Sequence, residues 1–296
     1  MTGKILKGIG GFYYVQCIED GNLYECRARG KFRKNEIKPQ IGDNVEFEPT
    51  GEELKGSVIN IFERKNSFIR PPVSNIDQMA IVSALKNPEP DTMFIDKMLA
   101  VLKSVNTPAI ICFNKLDIAD KALTDELKNI YEKAGYKVFV LSTKTGEGTD
   151  AFKEAIRGKT TAFAGFSGVG KSSLLNALCD CFMLDTGDVS QKLKRGKHTT
   201  RHVEIFNAVN VSQDTFIADT PGFSMLEIPQ DVTHENLKDL FVDFLDFECN
   251  CKFTGCQHNS NKFCGVWDAV CENKIPKSRY DNYLTLYNEL KDRKKW

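Results

Sequence analysis

The chain has 296 residues, room for two or three domains, and its 40 Lys+Arg balance 40 Asp+Glu to a net charge of zero. That balance excludes bulk electrostatic attraction to nucleic acid or membrane, so any RNA contact must come from local basic patches. No apolar run is long enough to span a bilayer, and the start lacks a charged-then-apolar leader, so a cytoplasmic protein with no membrane segment and reduced thiols is expected.

From Lys4 to about Ser67, short apolar runs alternate with turn signals. Residues 11–18 and 23–28 read as strands joined by a tight turn at Asp20, Gly21 and Asn22, with further strands at 39–47 and 56–62. Several short strands without a helical pattern predict a small β-barrel of the OB type. Arg27, Arg29, Lys31, Arg33, Lys34 and Lys38 cluster in one connection, suited either to RNA or to solubility.

After a linker-like Arg70, Pro71 and Pro72, strands alternate with helices. Strands are predicted over 76–85, 108–113, 137–141, 161–164, 203–206 and 215–218. One helix is capped by Asp91 and carries Phe94, Ile95, Met98, Leu99, Leu102 and Val105 on one face. A second carries Leu123, Leu127, Ile130, Tyr131 and Ala134 and stops at Gly135, and a third is capped by Thr149 and stops at Gly158. This alternation means a parallel sheet covered by helices, with ligands at the carboxyl ends of the strands.

The candidate chemistry lies at those ends. Gly165, Phe166, Ser167, Gly168, Val169, Gly170, Lys171, Ser172 and Ser173 have phosphate-loop spacing between a strand and a helix. Curled backbone N–H groups and a helix N-terminus suit one anion there; Lys171 reaches the β- and γ-phosphates and Ser172 ligates Mg²⁺. Asn114, Lys115 and Asp117 have the form of a guanine-specificity turn. The Asp117 carboxylate can accept from both N1–H and the 2-amino group of guanine, donors that adenine does not offer together. Ser142, Thr143 and Lys144 supply a second base-facing turn. Asp219 follows a strand and can hold Mg²⁺ through water, while the Gly222 N–H senses the γ-phosphate. In the basic stretch of Lys192, Lys194, Arg195, Lys197 and Arg201, Thr200, or else Thr199, is the candidate switch threonine for Mg²⁺.

Of 10 cysteines, Cys17, Cys26, Cys112, Cys179 and Cys181 sit among apolar neighbours and read as small buried hydrophobes. Cys249, Cys251, Cys256, Cys264 and Cys271 crowd into one segment. Cys251, Cys256, His258 and Cys264 offer the soft tetrahedral set that Zn²⁺ favours, with no position left open for catalysis. Cys249 is a competing thiol, and Cys271 reads as packed apolar. Leu237, Leu240 and Phe241 on one flanking helix, and Tyr280, Tyr283, Leu284 and Tyr287 on another, would supply the core that so short a segment needs a metal to complete.

GTPases usually present the phosphate loop and Asp-x-x-Gly before the base-reading motifs; here Asn114–Asp117 and Ser142–Lys144 come first. In that permuted order the chain resembles the ribosome small-subunit-dependent GTPase family (RsgA, also called YjeQ), most sharply over 165–173, 196–201, 219–224 and 251–264. The resemblance implies an N-terminal OB-fold-like β-barrel over 1–70, a circularly permuted α/β P-loop GTPase domain over 71–228 and a small helical zinc-binding domain over 229–296. It implies one structural Zn²⁺ at the Cys/Cys/His/Cys set and Mg²⁺ with GTP. It also implies a monomeric GTPase that makes GDP and phosphate, binds the small (30S) ribosomal subunit and its 16S rRNA, is stimulated by it, and assists its late maturation. Thr143 stands where many GTPases have Ala, but the base would meet only its backbone N–H. Phe223 occupies the place of the water-orienting Gln of Ras-like enzymes, and its phenyl ring cannot orient water. His198 is the candidate replacement, because an imidazole can hydrogen-bond the attacking water near neutral pH. The rival reading is a GTP-dependent RNA-binding, translation-linked switch with little turnover of its own. Because 219–222 lead directly into the C-terminal part, hydrolysis is expected to reposition that part. The basic, aromatic tail from Lys291 to Trp296 reads as a frayed end or an RNA contact.

Overall fold

A computed structural model describes residues 1–29, 32, 38–69, 71–179, 203–219, 227–260 and 262–293. Lys31, Arg33, Lys34, Cys181, the basic residues 192–201 with His198, Thr199 and Thr200, Gly222, Phe223 and Trp296 lie outside them. The chain divides into two compact units, one of Met1–Gln78, Lys153–Ala164 and Lys171–Ser224, the other of Met79–Phe152, Gly165–Gly170 and Met225–Trp296.

In the first unit, period-two alternation places Ile5, Val15, Cys17, Cys26, Val45, Phe47 and Val58 on the inner faces of five strands, with Phe32 added from a connection. The strands β1 (Thr2–Ile9), β2 (Phe12–Cys17), β3 (Leu23–Ala28), β4 (Asn44–Pro49) and β5 (Lys55–Ile61) close into a barrel in the order β1-β2-β3-β5-β4. At the β2–β3 turn Gly21 takes φ +72° and the Asn22 N–H donates to Asp20 Oδ1 at 2.9 Å. The first strand was not predicted: Ile5 is its one fully buried large side chain, and Lys4 and Lys7 break the apolar alternation. Strands β6 (Ser67–Ile69) and β7 (Pro72–Ser74) pair antiparallel, so Pro72 of the linker-like stretch lies in a strand, while Arg70 lies outside the described residues. Buried Asp43 ties this hairpin to the barrel, accepting from Arg64 Nε at 2.7 Å and Ser74 Oγ at 2.6 Å.

The same unit holds β11 (Thr160–Ala164) parallel to β13 (Phe216–Asp219), with β12 (Glu204–Asn207) antiparallel beside β13. Strand β1 lies along β12. Lys7 Nζ meets Glu204 Oε1 at 2.8 Å, and Lys4 Nζ lies 5.6 Å from the centre of the Phe216 ring. Burial pulls the Lys4 ammonium below its ordinary pKa, with Asp77 and Asp43 pulling the other way.

In the second unit β8 (Gln78–Ala84), β9 (Ala109–Asn114) and β10 (Lys137–Val140) run parallel in the order β10-β9-β8, and every residue of β8 is buried. Helix α1 (Thr92–Ser104) follows β8, and Asp91 caps it by accepting from the Phe94 N–H at 2.9 Å. Helix α2 (Lys121–Lys133) is capped in the same way by Asp120, and α3 (Thr149–Ile156) follows β10. Thr149 is the first residue of α3 rather than its accepting cap: its hydroxyl donates to Gly146 O at 2.7 Å.

Before the zinc-type cysteine cluster, the C-terminal part of this unit places 3₁₀ helices, Leu237–Leu240 and Val242–Asn250, where a flanking helix was expected. Helices α5 (Gly265–Cys271) and α6 (Lys277–Asp292) complete it, burying Tyr280, Tyr283, Leu286 and Tyr287 against Leu237, Phe241 and Phe244. Cys271 is exposed, contrary to expectation, because it closes α5 on the side away from Val266 and Val270. Arg279, only 1% exposed, binds Asp96 of α1 at 2.6 Å and both carboxylate oxygens of Asp243, at 2.6 and 2.8 Å. Burial works to lower the Arg279 pKa, but the two carboxylates override it and hold the group above its ordinary value.

Candidate nucleotide site and metal centre

The 114–117 turn and the glycine-rich loop after β11 meet at one side chain. Asn114 ends β9 fully buried and donates from Nδ2 to the Val169 carbonyl at 3.1 Å. Its Oδ1 accepts from the Lys115 N–H at 2.8 Å and the Thr143 N–H at 3.2 Å. One amide thus joins the 114–117 turn, the 142–144 turn and the phosphate loop. Lys115 takes the left-handed conformation (φ +66°), and its ammonium donates to Asn87 O. Asp117 Oδ1 accepts from Ser142 Oγ at 2.7 Å, while Oδ2 faces Lys144 Nζ at 3.7 Å. Ser142 Oγ in turn accepts from the N–H groups of Lys144 and Thr145 at 3.3 and 3.2 Å, which closes the second turn.

Two glycines of the loop are required by close approach. A Cβ at Gly165 would stand 2.2 Å from Val82 O, and one at Gly170 would stand 2.2 Å from Asn114 Nδ2. Both also have positive φ, +151° and +94°, which side chains rarely adopt. Phe166, Ser167 and Gly168 are exposed while Val169 is buried, so the loop is anchored at Val169 and open at its crest. The Phe166 ring packs against Phe94 of α1, centroids 4.3 Å apart.

In the first unit α4 (Lys171–Leu178) starts on the loop's lysine, with Ser172 and Ser173 in its first turn. Lys171 is half-buried, and burial pulls its ammonium below the ordinary pKa while Asp219 pulls upward. Burial pushes the Asp219 carboxyl up, Lys171 opposes it and Glu204 adds to it. A desolvated ammonium and a desolvated carboxylate are suited to a phosphate and to a divalent cation respectively. His198, Thr199, Thr200 and Gly222 lie outside the described residues.

Cys251, Cys256, His258 and Cys264 bring four ligand atoms within 4.8 Å of one another. His258 Nδ1 is 3.6 Å from Cys251 Sγ and 3.4 Å from Cys264 Sγ. Tetrahedral zinc with Zn–S near 2.3 Å and Zn–N near 2.0 Å separates its ligands by about 3.5–3.8 Å, so the set fits a metal of that size. The Gly265 N–H reaches Cys251 Sγ at 3.3 Å and the Trp267 N–H reaches Cys264 Sγ at 3.4 Å. Cys249 stands apart, exposed, against Asp246 O at 3.9 Å.

Glu248, which the sequence did not single out, accepts from His258 Nε2 at 3.2 Å and from Lys238 Nζ at 3.1 Å. That assigns the proton to Nε2 and leaves the Nδ1 lone pair facing the sulfurs. Burial works to raise the Glu248 pKa, but these two donors outweigh it and hold the carboxyl below its ordinary value.

The family model described as RsgA GTPase matches residues 61–229, and that described as RsgA N-terminal domain matches residues 2–58. A protein of Agathobacter rectalis named Small ribosomal subunit biogenesis GTPase RsgA is 47% identical over 306 residues, covering 100% of both chains. One of the same name from Alkaliphilus metalliredigens is 41% identical over 295 residues, covering 99% of each. The crystal structure of YloQ, described as a circularly permuted GTPase, is similar with a TM-score of 0.81 and 36% identity, covering 100% of this chain and 96% of its own. That of YjeQ from Thermotoga maritima has a TM-score of 0.83 and 35% identity, covering 99% of each. With both family models matched and with likeness over its full length, the chain belongs to the RsgA family of circularly permuted GTPases.

Proposed function

We propose that this GTPase acts in biogenesis of the small ribosomal subunit, docking on that subunit through 16S rRNA and turning over GTP to GDP and phosphate when docked, late in maturation. Relatives of full length carry that name. Within the chain one observation supports it above the others: the Asn114–Val169 bond ties a guanine-reading turn to a phosphate loop.

In this reading Asp117 accepts from guanine N1–H and the 2-amino group, with Lys115 and the 143–144 backbone flanking the base. Backbone N–H groups of 165–173 and Lys171 hold the phosphates, and Ser172, Asp219 and Thr200 (or Thr199) hold Mg²⁺. Mg²⁺ would neutralise charge developing between the β- and γ-phosphates. Gly222 reads the γ-phosphate and His198 orients water in place of the missing Gln. The set of Cys251, Cys256, His258 and Cys264 holds one structural zinc. The barrel is of OB type and meets RNA through its basic connection. The protein works in the cytoplasm as a monomer, with the barrel ending near residue 70 and the zinc module beginning near 229.

GTP and ATP hydrolysis measured in parallel, with and without purified small subunits, tests this. Slow turnover of GTP alone should rise about tenfold or more on addition of subunits, with ATP inert. Turnover that ignores the subunits would favour the switch reading instead, which Phe223 at the Gln position supports.

A further inference from the structure

Phe253 and Phe263 are the two most exposed phenylalanines among the described residues, at 57% and 60%. They are held in place rather than loose. Their centroids are 6.3 Å apart with planes at 80°, edge to face. Lys252 Nζ stands 4.3 Å from the Phe263 centroid and 5.9 Å from that of Phe253. The Lys252 N–H donates to Phe263 O at 3.1 Å, bridging the two arms of the loop, and Phe263 itself is left-handed at φ +59°. Tyr280 and Tyr283 hydroxyls donate to His258 O at 2.8 Å and Gln257 O at 2.6 Å, and the four candidate metal donors of the same loop lie within 4.8 Å of one another. Nothing in the nucleotide chemistry uses this aromatic pair.

Along the loop itself both charged side chains are basic. Between Cys249 and Cys264 the only Lys, Arg, Asp or Glu side chains are Lys252 and Lys262, in a chain whose 40 basic and 40 acidic residues balance as a whole. Both lysines are exposed. We propose that Phe253 and Phe263, with Lys252 and Lys262, form a stacking site for an unpaired base of single-stranded RNA, the rings taking the base face and the ammonium groups the flanking phosphates. Aromatic faces accept any base, and lysines beside them track a backbone. Duplex RNA does not present base faces, and a protein-docking core would be depleted of charge rather than rimmed by lysine at the rings. The inference deepens the reading above, that this GTPase works on an RNA-containing particle, and names where on the zinc loop RNA is met.

Fluorescence anisotropy with a labelled, unstructured RNA oligonucleotide and with an RNA duplex of equal length tests it on the zinc-loaded full chain. Phe253→Ala and Phe263→Ala should each weaken single-strand binding about tenfold and leave duplex binding unchanged, while Phe263→Trp restores it. Lys252→Gln should reduce the salt slope of binding by about one. Zinc content and unstimulated GTP hydrolysis should stay at the parent level. Alanine variants that keep zinc and bind the single strand as tightly as the parent would overturn the proposal. Should they lose zinc, Phe253→Leu and Phe263→Leu replace them, and unaltered affinity there overturns it equally. Unchanged RNA affinity with weakened binding to small subunits would assign the pair to a protein partner, against the proposal. Loss of subunit stimulation in the parent chain would contradict the proposed function while leaving the oligonucleotide result intact.

Discussion

At Asp117 one carboxylate oxygen accepts from Ser142 Oγ at 2.7 Å while the other lies 3.7 Å from Lys144 Nζ, so the group is aimed by two neighbours from a different turn. Asp117→Asn keeps the shape and replaces one acceptor by a donor. Affinity for GTP should fall about a hundredfold, the loss of a charge-assisted pair, and xanthosine triphosphate, with a carbonyl where guanine has its 2-amino group, should bind better than GTP. Competition against a fluorescent nucleotide measures both. Asn114→Ala removes the partner of the Val169 carbonyl and of two backbone N–H groups. A loss of about 1–3 kcal/mol in unfolding free energy is expected, together with weaker GDP binding, because the loop loses its anchor. Denaturant melts and titration calorimetry check the pair. The types and spacing of these residues were legible in the sequence, because the proposed guanine and polyphosphate contacts ask for just such a pattern. That Asn114 is a pin between turns was not, because its partner lies 55 positions on.

Among elements, those made by local rules were the readable ones: Asp91 and the buried Ile95, Met98, Leu99 and Leu102 of α1, the Asp20–Asn22 turn, and the buried run of β8, whereas Val105, expected on the same face of α1, is exposed because the helix ends at Ser104. Strand β1 was missed because its lysines are aimed at Glu204 and Phe216, partners that no local pattern reveals. The same holds for Arg279, which in sequence looks like a solvated helix residue and instead joins α1 to α6 through Asp96. Burial pushes the Asp96 carboxyl up to about 6, with Arg279 opposing. Arg279→Met would leave Asp96 and Asp243 buried without their cation, and a loss of about 3–5 kcal/mol is expected in chemical denaturation followed by circular dichroism. In the zinc loop, Glu248→Ala frees the His258 ring to turn. Zinc affinity, read by competition with a chromogenic chelator, should drop about 10- to 100-fold, with Glu248→Gln closer to the parent. Stripping the metal should also change the emission of Trp267, whose N–H is bonded to Cys264 Sγ.

For the whole molecule, the order of motifs has a mechanical meaning. With the Asn114–Asp117 and Ser142–Lys144 motifs ahead of the 165–173 loop in sequence, Asp219 and the segment after it lead straight into the C-terminal part that holds the candidate metal donors. Small-angle scattering should therefore differ between the GDP state and the state with a non-hydrolysable GTP analogue; superimposable curves would remove that coupling. No helix among the described residues is long and apolar enough to cross a membrane. The proposed activity requires a single guanine nucleotide to span turns that lie far apart and reversed along the chain. A crystal structure with a non-hydrolysable GTP analogue tests this most directly. Guanine N1 and its 2-amino group should lie within hydrogen-bond distance of the Asp117 carboxylate, with the β-phosphate on the 165–172 backbone and Lys171. A bound analogue whose base sits away from Asp117 would contradict it.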